Sequence, residues 1–224
     1  MRQGLLWGGV GLLLLLTACG GGDNDADTAD ATATPSATGT AQPTAVALPR
    51  VFPGEQPASP ETERIDTIFG GVTLPPTVDV FGRRDIPNEA IERDAPDVGL
   101  RFKEYGRETG NYYVLTVDGV QRMTLSISQY ATPEGAKREF DFGKGDPAPE
   151  DRVDASGLGD ENSALRSYLG SGGPQNSLYL ISFTRGRYYV VIADFPPGGA
   201  DAPPDTALEI ARAVDEALKA NPVP

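Results

Sequence analysis

The sequence predicts an α+β domain: a mainly antiparallel sheet made by a tandem β-β-β-α duplication, with two helices packed on one face. Three observations carry this. Two stretches, 100–142 and 164–220, present the same order of a short strand, a two-stranded hairpin and a helix. Each hairpin is a pair of β-rich runs joined by two turn residues, Asp118-Gly119 in the first and Arg185-Gly186 in the second. Each closing helix carries its own start and stop signals. Runs of antiparallel strands punctuated by single helices favour a two-layer arrangement.

In the first half, Leu100–Tyr105 alternates loosely and reads as a strand. Tyr112–Val117 and Val120–Gln129 follow as a hairpin, because both residues of Asp-Gly accept the positive φ of a tight primed turn. Thr132-Pro133-Glu134 then supplies an N-cap, a proline at the first helical position and an acid in the first turn, and the helix runs to Phe142 before Gly143. In the second half Ala164–Leu169 is a strand and Gly170-Ser171-Gly172-Gly173-Pro174 a loop. Ser177–Thr184 and Arg187–Asp194 form the second hairpin. Asp205 caps a helix over Thr206–Ala220, whose Leu208, Ile210, Ala211, Val214, Ala217 and Leu218 recur at helical spacing before Asn221-Pro222 ends it. Residues 61–98 are a less regular lead-in, with a short helix over Asn88–Arg93 begun by Pro87.

A two-residue turn sets the expected register. Val114 then opposes Met123, Tyr112 opposes Leu125, and Ile127 continues this core face. The opposite, open face carries Tyr113, Leu115, Arg122, Thr124, Ser126 and Ser128. Of these, Tyr113, Arg122, Thr124, Ser126 and Ser128 are the candidate ligand-binding residues, since a sheet face of Tyr, Arg and hydroxyls can stack and hydrogen-bond a glycan or a partner protein. The second hairpin is apolar on both faces: Tyr179, Ile181, Phe183, Tyr188, Val190 and Ile192 on one, Leu178, Leu180, Tyr189, Val191 and Ala193 on the other. Strands of that kind are covered on both sides, here by the lead-in or by a second copy in a homodimer.

Ahead of the domain lies an address. Met1-Arg2-Gln3 is a charged n-region, Gly4–Leu16 an apolar stretch ending in five leucines, and Leu16-Thr17-Ala18-Cys19 a small-residue cleavage site. The apolar stretch is too short for a spanning helix, which needs about 20 residues. Leu-Thr-Ala-Cys resembles the lipobox of bacterial lipoproteins. That resemblance implies a signal peptide over 1–18, lipidation (palmitate among the acyl groups) of Cys19, and attachment to the extracytoplasmic face of a membrane. Residues 19–60, rich in Gly, Asp, Ala, Thr and Pro, read as a disordered tether with a mean reach of roughly 35 Å. Residues 61–224 then form a single domain.

Composition limits the chemistry. The 224 residues contain one Cys and no His, so triads, Cys-His pairs and histidine metal sites are excluded, as is a disulfide within the chain. A net charge of −13 opposes binding to nucleic acid. Asp146, Glu150, Asp151, Asp154, Asp160 and Glu161 cluster between the halves, but their spacing matches no calcium loop, and no metal or other cofactor is expected. Gly157-Leu158-Gly159-Asp160 reads as a turn. No P-loop, G-x-S-x-G or S-x-x-K is present.

The segments TPEGAKREF, GLGDEN and FTRGRYYVVIADF, with the lipobox and tether, resemble uncharacterised bacterial lipoproteins. The order of elements is also similar to mycobacterial kinase sensor ectodomains and to photosystem extrinsic proteins; the sensors carry disulfides that this chain lacks. The expectation is a non-catalytic binding or interaction module of the cell envelope, with no enzymatic activity. A carboxylate-dependent extracytoplasmic hydrolase using residues 146–161, or a structural envelope protein, are the alternatives. The address is tested by Cys19→Ala: the wild-type chain should gain acyl mass and partition with membranes, and the variant should lose both. A wild-type mature chain without acyl mass refutes the lipoprotein reading.

Overall fold

In the computed structural model the described residues are 60–169, 176–200 and 203–222, all within one compact unit. Cys19, the tether and the 170–174 loop lie outside them. The element order is α1 (Pro60–Gly70), β1 (Val78–Asp85), α2 (Asn88–Asp94), α3 (Pro96–Glu104), β2 (Arg107–Val117), β3 (Val120–Tyr130), α4 (Pro133–Gly143), β4 (Glu161–Tyr168), β5 (Ser177–Arg185), β6 (Tyr188–Asp194) and α5 (Asp205–Ala220). The six strands make one antiparallel sheet in the order β1-β2-β3-β6-β5-β4. The two hairpins therefore meet at the centre, β3 against β6, as a duplicated unit would place them. The chain is an α+β protein with an antiparallel sheet.

Local signals account for most elements. Asp118 and Gly119 hold φ of 52° and 77°, the primed turn their sequence calls for. The Thr132 hydroxyl accepts from the Gly135 amide at 3.1 Å, capping α4. The segment expected as a strand over Leu100–Tyr105 is instead the second half of α3. Pro96 at the first helical position, Asp97 in the first turn and Arg101 and Lys103 in the last turn outweigh a loose alternation. The third strand of the first half is β1, drawn from the lead-in.

The register of the first hairpin differs from expectation by one residue. Val117 faces Val120 and Thr116 faces Gln121, but Leu115 faces Met123, so Arg122 is an extra residue in a β-bulge. A slip of one flips every side chain beyond it. Tyr113 and Leu115, expected on the open face, turn into the core beside Leu125 and Met123, and all four are essentially unexposed. Tyr112 and Val114, expected in the core, turn to the other face and remain half-buried.

The core face packs against α1 and α5. Ile65, Ile68 and Phe69 of α1 and Leu208, Ile210, Ala211, Val214 and Leu218 of α5 close on Leu115, Leu125, Ile127, Ile181, Phe183, Val190 and Ile192. Tyr113 stacks on Phe69, ring centroids 4.1 Å apart, and its hydroxyl donates to Asp66 of α1 at 2.8 Å. Asp66 also accepts from Arg83 Nε at 2.6 Å and Asn111 Nδ2 at 2.7 Å, so one carboxylate fastens α1 to β1 and β2.

The opposite face is covered as well. Phe140 of α4 meets Tyr189 edge-on at 6.5 Å, and α3 joins α4 through Arg101 and Glu139. Thus α4 and α5, expected on one face, flank the sheet on opposite faces. A two-residue link drops α4 directly onto the near face, whereas ten residues between β6 and α5 carry the chain round to the other. Both faces of the doubly apolar second hairpin meet helices of this chain, α1 and α5 on one and α4 on the other. The face assignment is checked by denaturation. Tyr113→Ala should cost about 3–5 kcal/mol, the range for removing a buried aromatic ring, and Tyr112→Ala less than about half of that. Equal losses would contradict the bulge.

Candidate functional site

The five candidate residues do not form one site. Tyr113 is part of the α1 contact just described. Arg122, at the bulge, is spent on Asp194: Nε and Nη2 each lie 3.0 Å from a carboxylate oxygen, and Asp194 is 1% exposed. Burial pushes the Asp194 carboxyl up and outweighs the pairing with Arg122. Only Thr124, Ser126 and Ser128 share the second face of the sheet, where Ser126 is half-buried and the other two are buried.

That face contains a polar centre that hydropathy does not mark. A second bulge in β2 sets Arg107 opposite Tyr130 and Thr109 opposite Gln129, leaving Glu108 extra. Arg107 consequently points to the same face as Tyr130 and Ser128. It is 4% exposed, and its donors go to neutral acceptors: Ser128 Oγ at 3.1 Å, Ile86 O at 3.0 Å and Asn88 Oδ1 at 2.6 Å. The Phe102 ring covers it, 5.1 Å from the guanidinium carbon. Burial draws its pKa down to about 10, with Tyr130 and Glu139 acting the other way.

Around it stand three more ionisable side chains. Glu139 of α4 is gripped at 3.0 Å on both oxygens by Arg101 of α3, and desolvation still leaves its carboxyl raised. Tyr130 is fully buried, and its hydroxyl has no hydrogen-bond partner. Burial, and secondarily Glu139, push its phenol up, while Arg107 and Arg101 act the other way. Tyr189, across from Ser128, is raised by the same two causes. Two arginines against one carboxylate leave this centre one positive charge in excess. Uncompensated buried charge is costly, several kcal/mol even after relaxation, so its presence needs a reason.

Two open grooves are weaker candidates. One, about 510 Å³, is lined by Phe140, Lys144, Arg152, Glu161, Asn162 and Ser163; the other, about 530 Å³, by Thr132, Glu134, Arg185, Arg187, Tyr188 and Lys219. Most of their charged groups are already engaged: Lys144 with Asp141, Glu161 with Lys137, Arg187 with Glu108, and Lys219 with Glu216.

The acidic stretch is also dispersed. Asp146 faces Arg152, Asp151 accepts from Arg166 at 3.0 Å, Asp154 accepts from the Ser156 amide at 2.9 Å, and Asp160 accepts from Arg185 Nη1 at 2.6 Å and the Gly186 amide at 2.7 Å. Among the described residues no group of three or more His, Cys, Asp or Glu is placed to hold a metal ion. Among them, too, no helix is long and apolar enough to cross a membrane. The chain matches no protein-family model and no curated protein sequence.

Sequence reasoning missed Arg107, Tyr130 and Glu139. The available signal was an arginine just before a β-rich run, and a strand begun at Tyr112 left it out.

The Gly157–Asp160 turn yields a pH prediction. It is bound to α5 through Asp215, which is 2% exposed and accepts from Arg185 Nε at 2.6 Å, Arg185 Nη2 at 2.8 Å and the Gly159 amide at 3.2 Å. Burial alone would raise the Asp215 carboxyl; the Arg185 fork, the Gly159 amide and Lys219 outweigh it and hold the pKa below 3.8. A depressed folded value stabilises above the unfolded value and is lost as pH falls through the folded one. Asp215→Asn should cost about 3 kcal/mol at pH 7 and should flatten the wild-type loss of stability below pH 3.8. An unchanged acid limb in the variant would refute this assignment.

Proposed function

We propose that the protein is a lipid-anchored, extracytoplasmic binding module without catalytic activity, and that it takes a ligand carboxylate at the Arg107–Tyr130 centre. One observation carries the reading: a buried guanidinium bonded only to neutral acceptors lies beside a buried hydroxyl bonded to nothing. A charge excess of one is what a single carboxylate neutralises; a phosphate dianion would overshoot. With Nε given to Ser128 and Nη1 to Ile86 and Asn88, Nη2 and the neighbouring phenol are the donors left to meet a carboxylate. Structural buried arginines normally meet an acid, and Glu139, the nearest one, is already bound on both oxygens by Arg101.

The lipid on Cys19 and the spacer behind it suit a module held at a surface rather than released. A hydrolase needs two free carboxylates at a set separation, and four of the six acids of the 146–161 stretch, Asp146, Asp151, Asp160 and Glu161, are paired with cations, leaving Glu150 and Asp154. This weighs against the catalytic alternative.

Thermal shift of the full chain against acetate, succinate, lactate and inorganic phosphate tests the site, because a ligand that binds only the native state raises its melting temperature. A carboxylate should raise it, and phosphate should not. Tyr130→Phe, which removes an unbonded hydroxyl, should leave the unliganded melting temperature unchanged or higher and abolish the shift. The absence of a shift with every carboxylate, or a shift that survives in Tyr130→Phe, overturns the proposal.

A further inference from the structure

We infer that the helical hairpin α2–α3 is a hinged cover that swings off the Arg107–Tyr130 centre as a unit. It rests on that reading only in what the cover admits; the motion itself stands on separate observations. The hairpin is an insertion between β1 and β2, and its two ends are close together, the Asn88 side-chain amide donating to Arg107 O at 2.8 Å. The C-terminal end leaves through Gly106 at φ 74°, a left-handed turn that glycine takes without strain, and its carbonyl accepts from the Ala131 amide at 2.8 Å, which fixes the pivot to the end of β3. Adjacent hinge points at both ends are the geometry of a rigid flap.

The hairpin is rigid within itself. A Cβ on Gly99 would fall 2.6–2.7 Å from Glu92 Cγ and Cα, so the two helices touch backbone to backbone. Its hold on the sheet is different in kind. Ile91 is its only large apolar side chain that is fully buried among the described residues, and Leu100 is 66% exposed. The remaining anchors are polar: Asn88 to Arg107, Arg101 to Glu139, Arg138 of α4 to Glu104 and over the Tyr105 ring, and the Phe102 ring over Arg107. Helix α1, by contrast, buries Ile65, Ile68 and Phe69. Elements with few buried apolar contacts open locally at much lower free energy than the core. Opening replaces the Arg101–Glu139 bonds with water at carboxylate and guanidinium alike, and it uncovers Arg107, Ser128 and Tyr130. In the closed state Phe102 and Asn88 occupy the approach to Arg107, so a ligand reaches the guanidinium only when the cover has moved.

Amide hydrogen exchange of the full chain in detergent tests this. Amides of 88–104 should exchange at least tenfold faster than those of β3, β6 and α5, and Arg101→Gln and Phe102→Ala should each speed 88–104 further while leaving α1 and α5 unchanged. Exchange of 88–104 at the same rate as α5, or variants that accelerate the whole chain uniformly, overturns the cover. Acetate separates the two readings. Slower exchange of 88–104 with acetate supports cover and site together. Fast exchange that acetate, succinate and lactate all leave unaltered keeps the cover and removes the carboxylate site.

Discussion

Much of this structure depends on the bulge at Arg122. One extra residue in β3 decides which of two alternating sets of side chains enters the apolar layer, and the alternation of Tyr112–Val117 allows either choice. With the bulge, Tyr113 and Leu115 join Met123, Leu125 and Ile127 under α1 and α5. Without it they would face the other way, and Tyr112 and Val114 would replace them. The bulge is held in place by the centre of the sheet. Arg122 forks onto Asp194 at the end of β6, and its carbonyl accepts from the Phe195 amide at 2.7 Å. Burial raises the Asp194 carboxyl despite the pairing with Arg122, and a buried ion pair is by itself a weak source of stability. It ties the bulged residue of β3 to the end of β6, the placement by which a buried polar pair can select one register over another.

The two faces of the sheet are then built on different physics. Beneath α1 and α5 the layer is apolar and close-packed, and such interiors tolerate little displacement. Beneath α3 and α4 the fully buried apolar contribution of the helices is small, chiefly Ala136 and Phe140, and charge-assisted bonds do the joining. Hydrogen bonds exchange readily with water at modest net cost, whereas exposing a hydrophobic layer does not. The first face therefore fixes the fold, while the second is joined to the sheet chiefly by polar bonds.

What could be read in the sequence follows the same division. Short-range chemistry was legible: the Asp118-Gly119 turn, the Thr132 cap, the second hairpin and the periodicity of α5 each appear where the residues place them. So was the need to cover both faces of the second hairpin. Register was not, because a bulge is decided by a partner 72 residues away, Asp194 against Arg122. Nor was the lead-in: α1 amounts to Ile65, Ile68 and Phe69 among polar residues, too short a pattern to stand out before its docking site is known. Tyr113 and Arg122 left the set for one reason, a face assignment carried across the bulge, whereas Thr124 and Ser126 keep their face. Ser128 survived because it lies on the polar face in either register, and it is the one candidate that touches Arg107.

The polar centre has a physical logic that hydropathy cannot express. A guanidinium buried among neutral acceptors, with its pKa drawn down by lost hydration, is held in a state less favourable than the surface would offer. Three features hold it there. The Glu108 bulge turns it inward, Asn88 and Ile86 clamp it from the cover, and Phe102 shields it from water. Two of the three belong to α2–α3 and the segment leading into it. The element that makes Arg107 costly to bury is thus the same element that is least tightly bound to the sheet. A counter-charge entering beside Tyr130 would relieve that cost and strengthen closure at once, which couples occupancy of the centre to the position of the cover.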